Sequence, residues 1–164
     1  MVVLGVDVGI RVLGYVLCKL HGLEVSLLKE SQIKPDPKKT LPEKLGYIFQ
    51  ELSGDISQYQ PKAIVVEKLY SHYRHPTTLG VLAQVRGAVA LLAHQRAVDF
   101  FEYSPTRARK SFLGKGSADS RQVQRMAENI TGRSFISGHT ADAFSLVVAF
   151  SHAQKLKKVL EGAF

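Results

Sequence analysis

The chain has 164 residues, 45% of them hydrophobic and 22% charged, which fits one globular domain able to bury a core without staples and excludes the disordered and fibrous classes. Lys and Arg outnumber Asp and Glu by 22 to 14, a net charge of +8 that favours a polyanionic partner such as nucleic acid. One cysteine, Cys18, excludes an internal disulfide and reads as a buried thiol of a reducing compartment. No secretory-type N-terminus and no apolar run of membrane-spanning length stands out, so a cytoplasmic protein is expected.

In chain order, Val2 to Val8 reads as a buried strand with an acid, Asp7, in an apolar run. A carboxylate there is costly unless a cation or hydrogen-bond donors compensate it. After a turn at Gly9, Arg11 to Lys19 and Leu23 to Ile33 read as two further strands of an antiparallel meander. Pro35 and Pro37 mark a loop. From Leu41 the apolar positions Leu45, Ile48, Leu52 and Ile56 fall at helical spacing, with Thr40 placed to cap. Ala63 to Leu69 is a fourth strand, again ending on an acid, Glu67.

The polar, aromatic and basic stretch Tyr70 to Thr78 reads as a loop, followed by a helix from Leu79 to Arg96. That helix carries an apolar stripe of Leu82, Val85, Val89 and Leu92 and a second stripe of small residues, Gly80, Ala83, Gly87 and Ala90. A helix apolar on two sides is sandwiched, its small-residue side meeting either a symmetry mate or another helix of the chain. Asp99 to Ser104 is a short strand, Ser104-Pro105 opens a helix, Ser117 is expected to cap the next, and the last runs from His139 to about Leu160. The order gives an α/β fold with one mixed five-stranded sheet, three strands in an antiparallel meander and two parallel, flanked by helices, residues 1–164 forming a single domain.

The acids need explaining together. Asp7 and Glu67 lie at strand ends, and His139 and Asp142, three residues apart, share one helical face. Singly each has an ordinary explanation: a turn aspartate, a solvated strand end, a helix-start residue, a carboxylate at the positive end of a helix dipole. As a set they form an oxygen-rich site of the kind that holds magnesium, where two cations clamp the attacking and leaving oxygens of a phosphodiester. Zinc-ligand spacings, a Walker-type phosphate loop and a GxSxG elbow are absent from the sequence. Arg107, Arg109, Lys110, Lys115, Arg121 and Arg125 gather around one interhelical turn with a single intervening acid, Asp119, which favours phosphate contact.

VVLGVDVGIRVLGY, AIVVEKLY, FEYSPTRARKSFLGKGSADSRQVQRM and GHTADAFSLVVAFSHA resemble, in order and spacing, the motifs of the RuvC family of Holliday junction resolvases, which have the ribonuclease H-like fold. The resemblance spans roughly Val2 to His152. It implies a homodimeric, magnesium-dependent endonuclease, with manganese able to substitute, that nicks two opposing strands of a four-way junction and works with the RuvA and RuvB branch-migration proteins. It assigns Asp7, Glu67, His139 and Asp142 to the catalytic metal site and Tyr70 to stacking on a base near the junction centre, with Tyr73 and Arg74 extending that loop. Arg107, Arg109, Lys110, Lys115 and Arg121 are expected on the DNA.

Three positions depart from the family pattern. His139 stands where many relatives have a carboxylate, Val8 where proline is frequent, and Ser120 where a lysine is expected, with Arg121 beside it. Imidazole at position 139 can act as proton acceptor as well as ligand. Other readings of the same features are a catalytically silent junction-binding protein, a ribonuclease H-like nuclease acting on RNA, and a sugar kinase or actin-like ATPase. The last begins with a similar strand and DxG but needs two lobes, for which the chain is too short.

Overall fold

The computed structural model describes residues 1–69 and 76–161. Its strands are β1 (Val2–Asp7), β2 (Leu13–His21), β3 (Glu24–Ile33), β4 (Ala63–Glu67) and β5 (Asp99–Tyr103), and its helices α1 (Leu41–Tyr59), α2 (Pro76–Gln95), α3 (Pro105–Leu113), α4 (Ser120–Thr131) and α5 (Gly138–Glu161). The strands form one sheet in the order β3-β2-β1-β4-β5. β1, β2 and β3 pair antiparallel, and β4 and β5 continue the sheet parallel to β1. This is the mixed five-stranded α/β architecture expected from the sequence.

Both faces of the central strands are covered, which is why β1 and β4 read as unbroken apolar runs instead of alternating ones. Leu4, Val6, Tyr15, Leu17, Ile64 and Val66 face Ile48 and Leu52 of α1 and Val85, Val89 and Leu92 of α2. Val3, Val16, Cys18 and Val65 face the other way, against Phe144, Val147 and Phe150 of α5 and the inner sides of α3 and α4. Phe144 packs edge-on to both Phe112 and Phe135, at centroid distances of 5.9 and 5.5 Å, and so ties α3 and the segment between α4 and α5 to α5. The one buried acid of α1, Asp55, accepts hydrogen bonds from the Tyr15 hydroxyl (2.7 Å) and Lys29 Nζ (2.8 Å), tying α1 to β2 and β3.

Several boundaries differ from expectation for identifiable reasons. β2 starts at Leu13 and not Arg11 because Gly9 to Val12 form a tight turn: a Cβ at Gly9 would lie 2.1 Å from the Val12 carbonyl oxygen. β4 ends at Glu67, two residues before the expected Leu69. α4 is capped by Asp119, whose side chain accepts from the Gln122 N–H while Gln122 reaches back to the Asp119 N–H, so the helix begins at Ser120 and not after Ser117. This reciprocal box satisfies two amides at once, which a lone serine two residues earlier cannot do. The other expected caps hold: Thr40 forms a capping box with Glu43, and Ser104 accepts from the Arg107 N–H.

α2 begins at Pro76, three residues earlier than expected. It is long and apolar enough to cross a membrane by length and composition, contrary to the sequence reading, and 28% of its most apolar window is buried. Its Gly and Ala residues hid that length from a search for unbroken large apolar runs. In the fold, one stripe of α2 covers the sheet, and Gly80, Ala83, Gly87 and Leu91 stay exposed.

Candidate active site

The register sets the site. Asp7 pairs with Gly14 of β2, Val6 pairs with Val66 of β4, and Glu67 pairs with Tyr103 of β5. Asp7 and Glu67 therefore end adjacent parallel strands on the same edge of the sheet, where strand spacing is about 4.8 Å. α5 crosses this edge in very close contact. A Cβ at Gly14 would lie 2.6 Å from the His139 carbonyl carbon, and one at Gly5 would lie 2.4 Å from the Ala143 carbonyl oxygen. The two glycines let the backbone of α5 rest on that of the sheet, bringing His139 and Asp142 over the strand ends.

His139 Nδ1 is 2.7 Å from Asp7 Oδ2, the histidine side chain 54% exposed and the aspartate only 15%. Asp142 turns toward the α3–α4 layer. Its Oδ2 accepts from Ser120 Oγ at 2.9 Å, and Arg109 Nη2 donates weakly to its Oδ1 at 3.5 Å. Arg109 also donates to the Ala118 carbonyl at 3.0 Å, so its guanidinium fastens the turn between α3 and α4 to the acidic edge. Sequence reasoning counted Arg109 among the cations expected on the DNA and noted Ser120 only as standing where a lysine is expected; the structure turns both side chains onto Asp142. The available signal was Asp119, whose cap fixes Ser120 at the first position of α4 and points it inward.

The electrostatics follow from crowding carboxylates at a half-buried edge. Glu67 is pushed up to about 7, first by burial and then by the charges of Asp7 and Asp142, against partial relief from Arg109 and His139. Asp142 is raised by burial, opposed by Arg109 and the Ser120 hydroxyl. His139 is raised, chiefly by its hydrogen bond to Asp7. Three carboxylates thus share one imidazole and one guanidinium, an arrangement short of positive charge that a divalent cation relieves.

Among the described residues no three acidic, histidine or cysteine side chains are gathered tightly enough to hold a metal ion as they stand. Asp7 and Asp142 are engaged by His139, Ser120 and Arg109. The donor chemistry nonetheless fits a hard cation: carboxylate oxygens with one imidazole, mutually repelling and half-buried.

The remaining expected contacts sort by position. Arg107, Lys110, Lys115 and Arg121 are exposed on the same layer, outside Arg109, and the Arg107 guanidinium lies over the Tyr103 ring at 4.9 Å. A cleft of about 530 Å³ opens beside His139, lined by Gly9, Ile10, Arg11, Val12, Thr77, Thr78 and Val81. Tyr70, Tyr73 and Arg74 lie outside the described residues.

A carboxylate-rich edge at the ends of parallel strands, flanked by exposed cations, has the chemistry that phosphodiester-cleaving nucleases require. Comparison with known proteins makes this specific. The family model for crossover junction endodeoxyribonuclease RuvC matches residues 3–152, and the chain belongs to that family. A RuvC of Alkaliphilus metalliredigens is 32% identical, the match covering 97% of this chain and 99% of the relative. The structure titled Thermus thermophilus RuvC in complex with Holliday junction substrate superposes with a TM-score of 0.88 at 26% identity, covering 96% of both chains. The yeast mitochondrial Holliday junction resolvase Ydc2 shares the fold, with a TM-score of 0.65 at 18% identity. The chain is accordingly a nuclease hydrolase of a family that uses divalent metal.

Proposed function

We propose that the protein resolves four-way DNA junctions by paired, symmetric nicks, as a magnesium-dependent homodimer. The observation that carries this reading is the convergence of Asp7, Glu67, His139 and Asp142 on one sheet edge in a chain of the RuvC family. Bound divalent cations, magnesium with manganese able to substitute, supply Lewis-acid stabilisation of the charge that builds on the phosphate oxygens. Asp7, Glu67, Asp142 and His139 are the residues that would hold them.

Each side chain then has a distinct task. Asp7 is central, flanked by Glu67 on the next strand and His139 above it. His139, the most exposed of the set, presents its imidazole at the open side of the site beside Asp7. Arg109 and Ser120 keep the Asp142 carboxylate oriented. Lys110, Lys115, Arg107 and Arg121 hold backbone phosphates without reading sequence, and the cleft between Arg11 and Thr78 receives the nucleotide next to the scissile phosphate. Tyr70, by family resemblance, stacks on a base near the crossover, where base stacking is worth about 1–3 kcal/mol. The products are a 5′-phosphate and a 3′-hydroxyl.

Two opposed nicks need two sites in one particle, and the exposed small residues of α2 are the proposed twofold interface. Partnership with the RuvA and RuvB branch-migration proteins and a cytoplasmic location accompany this reading. The deciding experiment incubates the protein with a mobile four-way junction or linear duplex, with and without magnesium. Symmetric nicks confined to the junction and to the metal-containing arm are expected. Nicking of RNA–DNA hybrid in preference to the junction, or none with either, would favour the RNA-directed or silent alternatives.

A further inference from the structure

The turn that delivers His139 is held by a carboxylate on the edge strand of the sheet. Gln32 of β3 pairs with Gly14, the residue on which the His139 backbone rests, and Glu30 pairs with Val16 one step further along. From this row both side chains reach the start of α5. Glu30 Oε1 accepts the Ile136 N–H at 2.6 Å and also the Thr140 hydroxyl. Gln32 Nε2 donates to Ser137 Oγ.

Ser137 and Thr140 themselves form the reciprocal cap of α5: the Ser137 N–H donates to Thr140 Oγ1 at 3.3 Å, and the Thr140 N–H to Ser137 Oγ at 3.4 Å. β3 therefore grips a cap that is already closed. None of the ion pairs among the described residues involves Glu30, so its half-buried carboxylate is committed to the two donors that bracket His139.

The His139 ring has no such support of its own. Its side chain is more than half exposed and is held by its hydrogen bond to Asp7. Where the ring stands is thus decided by the backbone between residues 136 and 140, and that backbone is decided by Gly14 below it and by Glu30 and Gln32 beside it.

We infer that Glu30, assisted by Gln32, is a positioning residue that sets the imidazole of His139 against Asp7 for strand cleavage. The inference rests on the proposed role of His139. Positioning groups behind ligands of this kind are worth about 10- to 100-fold in activity or metal affinity. A bond to a charged acceptor in a partly buried turn is also stronger than the neutral capping bonds it supplements.

The test uses the full-length protein. Glu30→Ala is expected to lower the single-turnover nicking rate on a four-way junction about tenfold while leaving junction affinity unchanged. In the metal-free protein it should move the His139 imidazole nitrogen resonances toward those of a free side chain. Glu30→Gln keeps an Oε1 that accepts both bonds and should restore most of the rate and the resonances. Thr40→Ala removes the equivalent cap on the remote helix α1 and controls for loss of stability alone.

An unmoved His139 spectrum with a parental rate in Glu30→Ala overturns the inference, as does an equal rate loss in Thr40→Ala. Parental nicking by His139→Ala instead overturns the proposed role of His139, an outcome readable independently of the Glu30 variants.

Discussion

His139 Nδ1 and Asp7 Oδ2 are 2.7 Å apart, joining residues 132 positions distant in the chain. In the metal-free protein this bond gives Asp7 a partial counter-charge. Asp7→Asn keeps the shape and removes the charge. It should abolish nicking, leave junction binding intact, and move the titration of His139 to lower pH, because the hydrogen bond to Asp7 is the main cause of its raised value. Gel-based nicking, a binding isotherm and an NMR titration of the imidazole check the three parts. Parental cleavage by Asp7→Asn would falsify the assignment of Asp7 to the reaction.

The metal-free protein should lose stability as pH rises. Glu67 titrates at about 7 in the fold, above the ordinary carboxylate value near 4.3, so its ionisation destabilises the folded state over the interval from about 4.5 to 7. His139, raised, adds in the same direction: its protonated partnership with Asp7 contributes below about 6.5 and fades as pH passes its folded value. Asp142, also raised, adds a smaller loss at lower pH. Thermal melts in chelator from pH 5 to 8 should therefore fall steadily, Glu67→Gln should flatten most of the slope, and magnesium should oppose it. A melting temperature that rises over this range would overturn the charge distribution described here.

How much of this was readable from the chain varies by element. The strands and α1 were legible because their signals are local: apolar runs bounded by turns, and Leu45, Ile48 and Leu52 at one helical period. Asp7, Glu67, His139 and Asp142, which the fold brings to one sheet edge, stood out in the sequence only as a set, since each alone has a structural explanation. The contacts of Arg109 and Ser120 with Asp142, and that of Glu30 with the start of α5, were not legible for a common reason. Their roles depend on which way a side chain turns once α3, α4 and α5 pack together, and Arg109 sits in a basic run whose other cations, Arg107 and Lys110, are exposed.

Gly14 and Gly5 were likewise silent in sequence, although both are demanded by the close approach of α5. Gly14→Ala places a Cβ 2.6 Å from the His139 carbonyl carbon, and Gly5→Ala places one 2.4 Å from the Ala143 carbonyl oxygen. Both should cost about 1–3 kcal/mol of stability by overpacking, measured by denaturant unfolding. Gly14→Ala displaces the turn that carries His139 directly, so its nicking rate should fall well beyond that of Gly5→Ala at matched loss of stability. Equal rates for the two variants would show that α5 shifts as a rigid body and that the Gly14 contact has no special bearing on the site.

The remaining prediction concerns α2. Its outward side presents Gly80, Ala83, Gly87 and Leu91, with Leu91 53% exposed, a smooth surface on which a second helix can approach closely, and burying it removes apolar area that a monomer leaves in water. A charge placed there must be desolvated when the surface closes, a cost on the order of several kcal/mol for an unpaired ion. Leu91→Glu should therefore raise the dimer dissociation constant by at least tenfold, since about 1.4 kcal/mol already suffices for that, as measured by sedimentation equilibrium. The fold should survive, because Leu82, Val85, Val89 and Leu92 on the inner side are untouched. Nicks on opposing strands should lose their pairing in step with dissociation, appearing singly at protein concentrations where the parent cuts both. A Leu91→Glu protein that sediments as the parent does would move the interface off this side of α2.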